Sequence, residues 1–459
     1  MCGIVGLRST EPRRALQWVV MALGQLNHRG HVAVGISAVG KTKIHHFRML
    51  GLVRDTCTDS VPEFRAFRKA VEADEATLFL GHVRYSTVGS SDIVNSQPFV
   101  LQSSWGEITF AHNGQLVQHA SHQSRLIQAG QIFTSTSDSE VLARLILTQP
   151  SVSLEVALSQ VIRTISGAYS VLMLSKKGLL GGRDPYGIRP FFEGELANGD
   201  HGFSSEAVVF NNQPIREVPP GALIFLPLEG ALKVQQVVPA QPAPCLFELL
   251  YFARPDQYAG DGVTAMYRYE FGAQLARNDS IEADLVCGVP DSGLDAAQGY
   301  ATTSGIPFQP RALMRNLFAI KGGRSFILDD SNQRESAAEA KYSATSRYVK
   351  GMRVVVADDS MVRSVTARVV TERLRQAGAR EVHWRFASPP VRHPCFYGID
   401  MSSHAELAAH ERTEAEISTL INADSVRYLP LGEIQQLTRS VSPDWCTGCF
   451  TGEYPIPLT

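Results

Sequence analysis

The spacing of apolar and polar positions changes partway along the chain. In the first half, short apolar runs such as residues 76–79 and 108–111 end in polar clusters, as strands do where a sheet delivers side chains to a cleft. From about residue 284, short apolar strands alternate with helical stretches, which predicts a parallel α/β sheet. Val354-Val355-Val356-Ala357 reads as a buried strand of that sheet. Asp358-Asp359-Ser360 stands at its carboxyl end, where ligands bind in such folds. A helix follows, with Ala367, Val370, Leu374 and Ala377 on one face and Gly378 as its stop. With 459 residues, two large domains are expected.

Composition narrows the partners. A net charge of −2 leaves no broad basic field for nucleic acid or anionic membranes, so small molecules and other subunits are the expected partners. No apolar run approaches the ~18 residues that a bilayer span needs. Residues 1–20 lack the charged-then-apolar layout of a secretory signal, so a cytoplasmic protein is expected. The seven cysteines, Cys2, Cys57, Cys245, Cys287, Cys395, Cys446 and Cys449, are too scattered for a disulfide framework, and their odd number favours catalysis or metal binding. Cys57 and Cys287 read as small buried apolar residues.

Cys2 can unite two catalytic roles. Once Met1 is removed, this residue carries a thiol and a free α-amine. These titrate near ~8.5 and ~7.7, so the amine can take the thiol proton close to neutral pH. Arg84, in Gly81-His82-Val83-Arg84-Tyr85-Ser86-Thr87, offers a fork suited to a carboxylate. Asn113-Gly114 pairs an amide donor with a glycine whose backbone can approach a ligand, the ingredients of an oxyanion hole. Asp138 adds a carboxylate for an ammonium. Each also has an ordinary structural reading: a hairpin turn for Asn113-Gly114, a surface ion pair for Arg84, a helix N-cap for Asp138.

The order MCGIVG, NHRG, GHVRYST, NSQPF, AHNG and SDSEV resembles the N-terminal-nucleophile glutaminase domain of class II glutamine amidotransferases, over roughly residues 2–240. The later RDPYGIRP and SSE (Ser204-Ser205-Glu206) also fit it. The resemblance implies that Cys2 attacks glutamine, Asn113 and Gly114 hold the oxyanion, Arg84 holds the α-carboxylate and Asp138 the α-amine, with Arg29, Tyr85 and Thr87 lining the pocket. Where the family reads QHRGQESAGI, this chain has Asn27-His28-Arg29-Gly30-His31-Val32-Ala33-Val34-Gly35-Ile36.

In the second half, Pro290-Asp291-Ser292-Gly293, GRSFI, ADDSMVR and SPPVRHPCFYGIDM follow the order found in the amidophosphoribosyltransferase family, so the resemblance spans nearly the whole chain. It implies an α+β (αββα) N-terminal-nucleophile glutaminase domain at 2–240, an α/β type I phosphoribosyltransferase domain at 241–440 and a tail at 441–459. It further implies transfer of ammonia from glutamine, through an internal channel, to C1 of phosphoribosyl pyrophosphate. Asp358 and Asp359 would bind ribose and Mg²⁺, Ser360 and Thr366 would belong to the same site, and Ser292 would lie near Mg²⁺ and pyrophosphate. Assembly as a homodimer or homotetramer is expected from relatives.

Two departures bear on the acceptor. Where the family has DDSIVRGTTS, Ser364 replaces the glycine and Val365 a hydroxyl. If that glycine is left-handed, Ser364 costs ~1–2 kcal/mol. The lid that reads NRYVGRTF in the family is longer here, from Arg315 onward, and lacks the Arg-Tyr pair. These changes motivate an alternative, a homologue aminating a different phosphorylated or activated acceptor.

Cys446-x-x-Cys449 by spacing alone could serve zinc, redox or iron-sulfur chemistry. With Cys245 and Cys395 it matches the four positions at which a subgroup of the family carries a 4Fe-4S cluster, and CTGCFTGEYP matches that subgroup's tail. The resemblance therefore implies a structural iron-sulfur cluster.

Overall fold

The computed structural model describes residues 1–85, 92–149, 153–211, 213–316 and 340–458. They form two compact units, the first comprising Met1–Pro244, Phe396–Asp400 and Pro455–Thr459, the second Cys245–Cys395 and Met401–Tyr454. The segment expected as a separate tail from residue 441 is shared between the two.

The first unit is layered because its strands bury both faces. In β1 (Gly3–Arg8) side chains alternate: Ile4 enters the core between two sheets, while Val5 and Leu7 face an outer core under helix α1 (Pro12–Gln25). β2 (Leu78–Arg84) pairs antiparallel with β1, Gly3 lying opposite Val83, and repeats the alternation with Leu78 and Leu80 inward and Phe79 outward. Both belong to a seven-stranded sheet.

β3 (Gly106–Leu116) and β4 (Gly167–Ser175) pair antiparallel within a six-stranded sheet. Ala111, Leu172 and Leu174 meet Ile4, Leu78 and Leu80 in the inner core. Phe110, Val171 and Met173 face a third core under α2 (Asp138–Leu147) and α3 (Leu154–Thr164). Three cores separate four layers, helix, sheet, sheet, helix. Each fully buried Leu, Ile or Phe stabilises the stack by about 1.5–3 kcal/mol. The sheets pack so closely at Gly6 that a Cβ there would lie 2.4 Å from Leu172 Cδ2.

The second unit carries four parallel strands in the spatial order β5 (Leu285–Gly288), β6 (Arg353–Asp358), β7 (Glu381–Phe386) and β8 (Ser425–Tyr428). Helix α4 (Leu294–Ser304) follows β5 and α5 (Val365–Gln376) follows β6. The expected apolar run at 354–357 is fully buried in β6. Ala367, Val370 and Leu374 of α5 join its core, and Gly378, at φ +95, follows the helix. Trp384 stacks on Phe386 at 5.4 Å, and its indole N–H donates to Thr371 Oγ1 of α5 at 2.8 Å.

Ser364 is the N-cap of α5 with φ −74 and ψ −11, an ordinary right-handed conformation, so the left-handed strain considered for it does not arise.

Candidate active site

β1 and β2 are antiparallel neighbours, so the start of one and the end of the other meet, and this brings Cys2 to Arg84 and Tyr85. Cys2 Sγ lies 3.5 Å from the Tyr85 amide nitrogen and 3.7 Å from its carbonyl oxygen. The Cys2 nitrogen, a peptide amide while Met1 is attached, donates to Asn113 Oδ1 at 3.2 Å. That bond orients the Asn113 side chain: its Nδ2 is buried and has no acceptor among the described residues. Leaving a buried donor unsatisfied costs about 1–3 kcal/mol unless a ligand satisfies it. Asn113 and Gly114 lie within β3, not in a hairpin turn.

Arg84 is also buried, with Nη1 reaching the Asp92 carbonyl at 3.4 Å and Nη2 without a partner among the described residues. Burial pulls its guanidinium below the ordinary value, opposed by the charges of Cys2, Asp92 and Asp138. It is thus no surface ion pair but a desolvated cation with a spare donor. His82, two residues earlier, is fully buried; burial and the Arg84 charge bring it down to about 3, so it stays neutral.

Asp138 is not the N-cap of α2. Ser137 is, its side chain accepting from the Ser139 amide at 3.2 Å, and Asp138 opens the helix and accepts from the Leu116 amide at 3.0 Å. Arg29 is fully buried; Nε donates to the Cys2 carbonyl at 3.1 Å and Nη1 to Glu206 at 2.6 Å. It therefore holds the backbone of Cys2. Thr87, the remaining expected pocket residue, lies outside the described residues.

Two roles were not legible beforehand. Glu206 joins His28 at 2.7 Å as well as Arg29; burial alone would raise its carboxyl, but these partners outweigh that and bring it to about 2. A permanent carboxylate so fixes Arg29. Gln97 accepts from the His112 amide at 2.7 Å and donates to Ser139 Oγ at 3.0 Å, while Asn95 bonds Thr136 at both ends of its amide. The NSQPF motif thus ties the Asn113 strand to the start of α2. Both motifs were visible in the sequence, but their partners lie far away along the chain.

In the second unit, Asp358 ends β6 and Asp359 and Ser360 follow, the Asp359 amide donating to Asp358 at 2.9 Å and Ser360 Oγ to Asp359 at 2.6 Å. Neither aspartate caps α5, whose N-cap is Ser364. Burial first, and then the charge of Asp359, push the Asp358 carboxyl well above its usual range. Two carboxylates competing for charge in a buried site suit a cation. Ser292 lies in the turn after β5, and the next residue, Gly293, packs so tightly on β6 that a Cβ would sit 2.5 Å from the Ala357 carbonyl. Ser292, Asp358, Asp359 and Ser360 therefore gather at the carboxyl ends of adjacent strands, with Thr366 in the first turn of α5. The GRSFI run and the altered lid beyond Asn316 lie outside the described residues.

The four expected cluster cysteines all fall in this unit. Cys245 and Cys446 form a β-bridge, and the Cys449 carbonyl accepts from the amides of Arg392 and His393, just before Cys395. Burial and the charges of Cys245, Cys395 and Cys446 push the Cys449 thiol well above its ordinary value. Yet among the described residues no three His, Cys, Asp or Glu side chains converge on a single metal ion. Cys57 and Cys287 are core residues, each pushed up to about 12 by burial.

Residues 82–212 match the family model described as a glutamine amidotransferase domain. The amidophosphoribosyltransferase of Archaeoglobus fulgidus is 36% identical over 100% of this chain and 98% of its own length. That of Synechocystis is 35% identical over 100% and 91%. The solved glutamine phosphoribosylpyrophosphate amidotransferase of B. subtilis, complexed with ADP and GMP, superposes with a TM-score of 0.88 at 34% identity, covering 100% of this chain and 98% of that one.

Proposed function

Because the chain belongs to the amidophosphoribosyltransferase family, we propose that it releases ammonia from glutamine at Cys2 and transfers it internally to C1 of phosphoribosyl pyrophosphate, giving phosphoribosylamine, glutamate and pyrophosphate. The observation that carries this reading is a pair of buried donors without a partner among the described residues, Asn113 Nδ2 and Arg84 Nη2, on side chains that respectively bond the Cys2 nitrogen and feel the Cys2 charge. A carboxamide with a carboxylate head group satisfies both.

The first unit's chemistry follows. Arg84 pairs with the α-carboxylate and Asp138 with the α-ammonium, which places the side-chain amide before Sγ. Sγ bonds to the amide carbon as the carbonyl electrons move onto oxygen, held by Asn113 Nδ2 and the Gly114 N–H. The α-amine freed by loss of Met1 takes the thiol proton and returns it to the departing nitrogen. Water then cleaves the thioester to glutamate. In the second unit the ammonia lone pair attacks C1 while the bond from C1 to the pyrophosphate oxygen breaks. Asp358 and Asp359 would hold Mg²⁺ and the ribose hydroxyls, with Ser292, Ser360 and Thr366 on the phosphates. The cation would supply charge neutralisation of the leaving pyrophosphate.

The alternative acceptor loses part of its motive, since Ser364 is unstrained and keeps its hydroxyl at the head of α5. Pyrophosphate release from phosphoribosyl pyrophosphate with ammonia in place of glutamine tests the second unit by itself. Turnover is expected; none at saturating substrate, with amination of another phosphorylated sugar, would favour the alternative.

We assign Cys245, Cys395, Cys446 and Cys449 to a structural 4Fe-4S cluster, supported by the bridge between Cys245 and Cys446, the backbone contact of Cys449 with His393 beside Cys395, and the charges the other three thiols exert on Cys449. Protein purified without oxygen should be brown, with about four irons and four sulfides per chain. Oxygen should bleach it and lower its melting temperature, because ligand binding is also folding free energy. A colourless, zinc-containing preparation would defeat the assignment. No helix among the described residues is long and apolar enough to cross a membrane; a cytoplasmic homodimer or homotetramer completes the reading.

A further inference from the structure

We propose that Gly398 is a positioning residue for the oxyanion hole, fixing Gly114 by direct backbone contact; the proposal rests on the glutaminase reading of the first unit. Gly114 has no freedom on one side, where an added Cβ would lie 1.9 Å from the Ala168 carbonyl oxygen and 2.8 Å from His112 Nε2. Gly398 closes the other. It belongs to the segment Phe396–Asp400, remote from Gly114 in sequence yet part of the same unit. A Cβ on Gly398 would sit 3.2 Å from the Gly114 carbonyl carbon and oxygen and 3.4 Å from its Cα. Its φ of +107 is one that other residues rarely adopt, so both conformation and contact demand glycine.

The segment is itself anchored. Tyr397 is buried, and its hydroxyl donates to the Ile456 carbonyl at 2.6 Å and accepts from the Ile456 amide at 3.1 Å. Gln118, two residues beyond β3, donates to the Leu458 carbonyl at 3.3 Å. Two distant pieces of chain therefore strap the end of the strand that carries Asn113 and Gly114. An oxyanion donor works only if it is held at the right distance before charge develops, and a clamp on the Gly114 Cα and carbonyl sets where its N–H points.

Gly398→Ala pushes on Gly114 by a few tenths of an ångström. The kcat for glutamate release should fall about ten- to a hundredfold, with KM unchanged because Arg84 and Asp138 are untouched. Glutamate γ-semialdehyde, whose hemithioacetal with Cys2 mimics the tetrahedral intermediate, should bind more weakly by the same factor, while glutamate binds as before. Alkylation of Cys2 by iodoacetamide, followed by peptide mass, should keep its wild-type rate and so report an intact fold. Tyr397→Phe, which keeps the ring and drops both anchoring bonds, should show the same pattern more weakly, and decides the matter if Gly398→Ala does not fold. Wild-type kcat in the folded variants, or a fall in kcat with semialdehyde affinity retained, would overturn the proposal. A wild-type protein that releases no glutamate at all would instead sink the glutaminase reading.

Discussion

Cys2→Ala is expected to lower glutamine-driven turnover by about four orders of magnitude or more, since loss of a covalent nucleophile removes the step on which its partners act. Ammonia-driven turnover should stay at the wild-type level. The geometry dictates the split: every group placed around Cys2, namely Tyr85, Asn113, Arg29 and Arg84, serves the first unit, while the carboxylates Asp358 and Asp359 stand in the second. Alanine also keeps a small second residue, so removal of Met1 is not what the variant disturbs. Measuring phosphoribosylamine formation with each nitrogen source decides the point. Substantial glutamine turnover in the variant, or active wild-type protein whose intact mass still includes Met1, would remove Cys2 from its role.

Asn113→Ala should cost about two to three orders of magnitude in glutamine-driven kcat, the usual loss for one oxyanion donor. The KM for glutamine should barely move, because Asn113 meets the substrate oxygen only as charge develops, while the head group is held by Arg84 and Asp138. Deleting the amide also frees the Cys2 nitrogen from its bond to Oδ1. Asn113→Asp separates the two effects: a carboxylate can still accept from that nitrogen but cannot donate to an oxyanion. Equal damage from both variants, with ammonia-driven turnover intact, is the expected pattern. If Asn113→Asp were nearly wild type, orientation of the amine would be the residue's main task.

Much of this site was readable because its members are local words. Cys2, Arg84, Asn113 and Asp138 each sit in a short motif whose residue types state a chemistry, and the alternation of apolar positions in β1, β2 and β6 announced the strands that present them. The choice among local readings was not available there. Asp138 as an N-cap and Asn113-Gly114 as a turn were both reasonable for their neighbours, and the structure removed them only through Ser137 and the pairing of β3 with β4.

Residue type and periodicities of two and 3.6 were enough for the order of motifs, the change from mixed strands to parallel α/β alternation and the choice of Cys2 as candidate nucleophile. Folding settles which donors are spare among the described residues, that Ser364 is unstrained, and that Arg29 serves the Cys2 backbone under the hold of Glu206. It alone placed Gly398 against Gly114. Hydrogen-bond satisfaction, burial and backbone approach depend on atoms brought together by folding, and the distance along the chain between those atoms carries no trace of the contact.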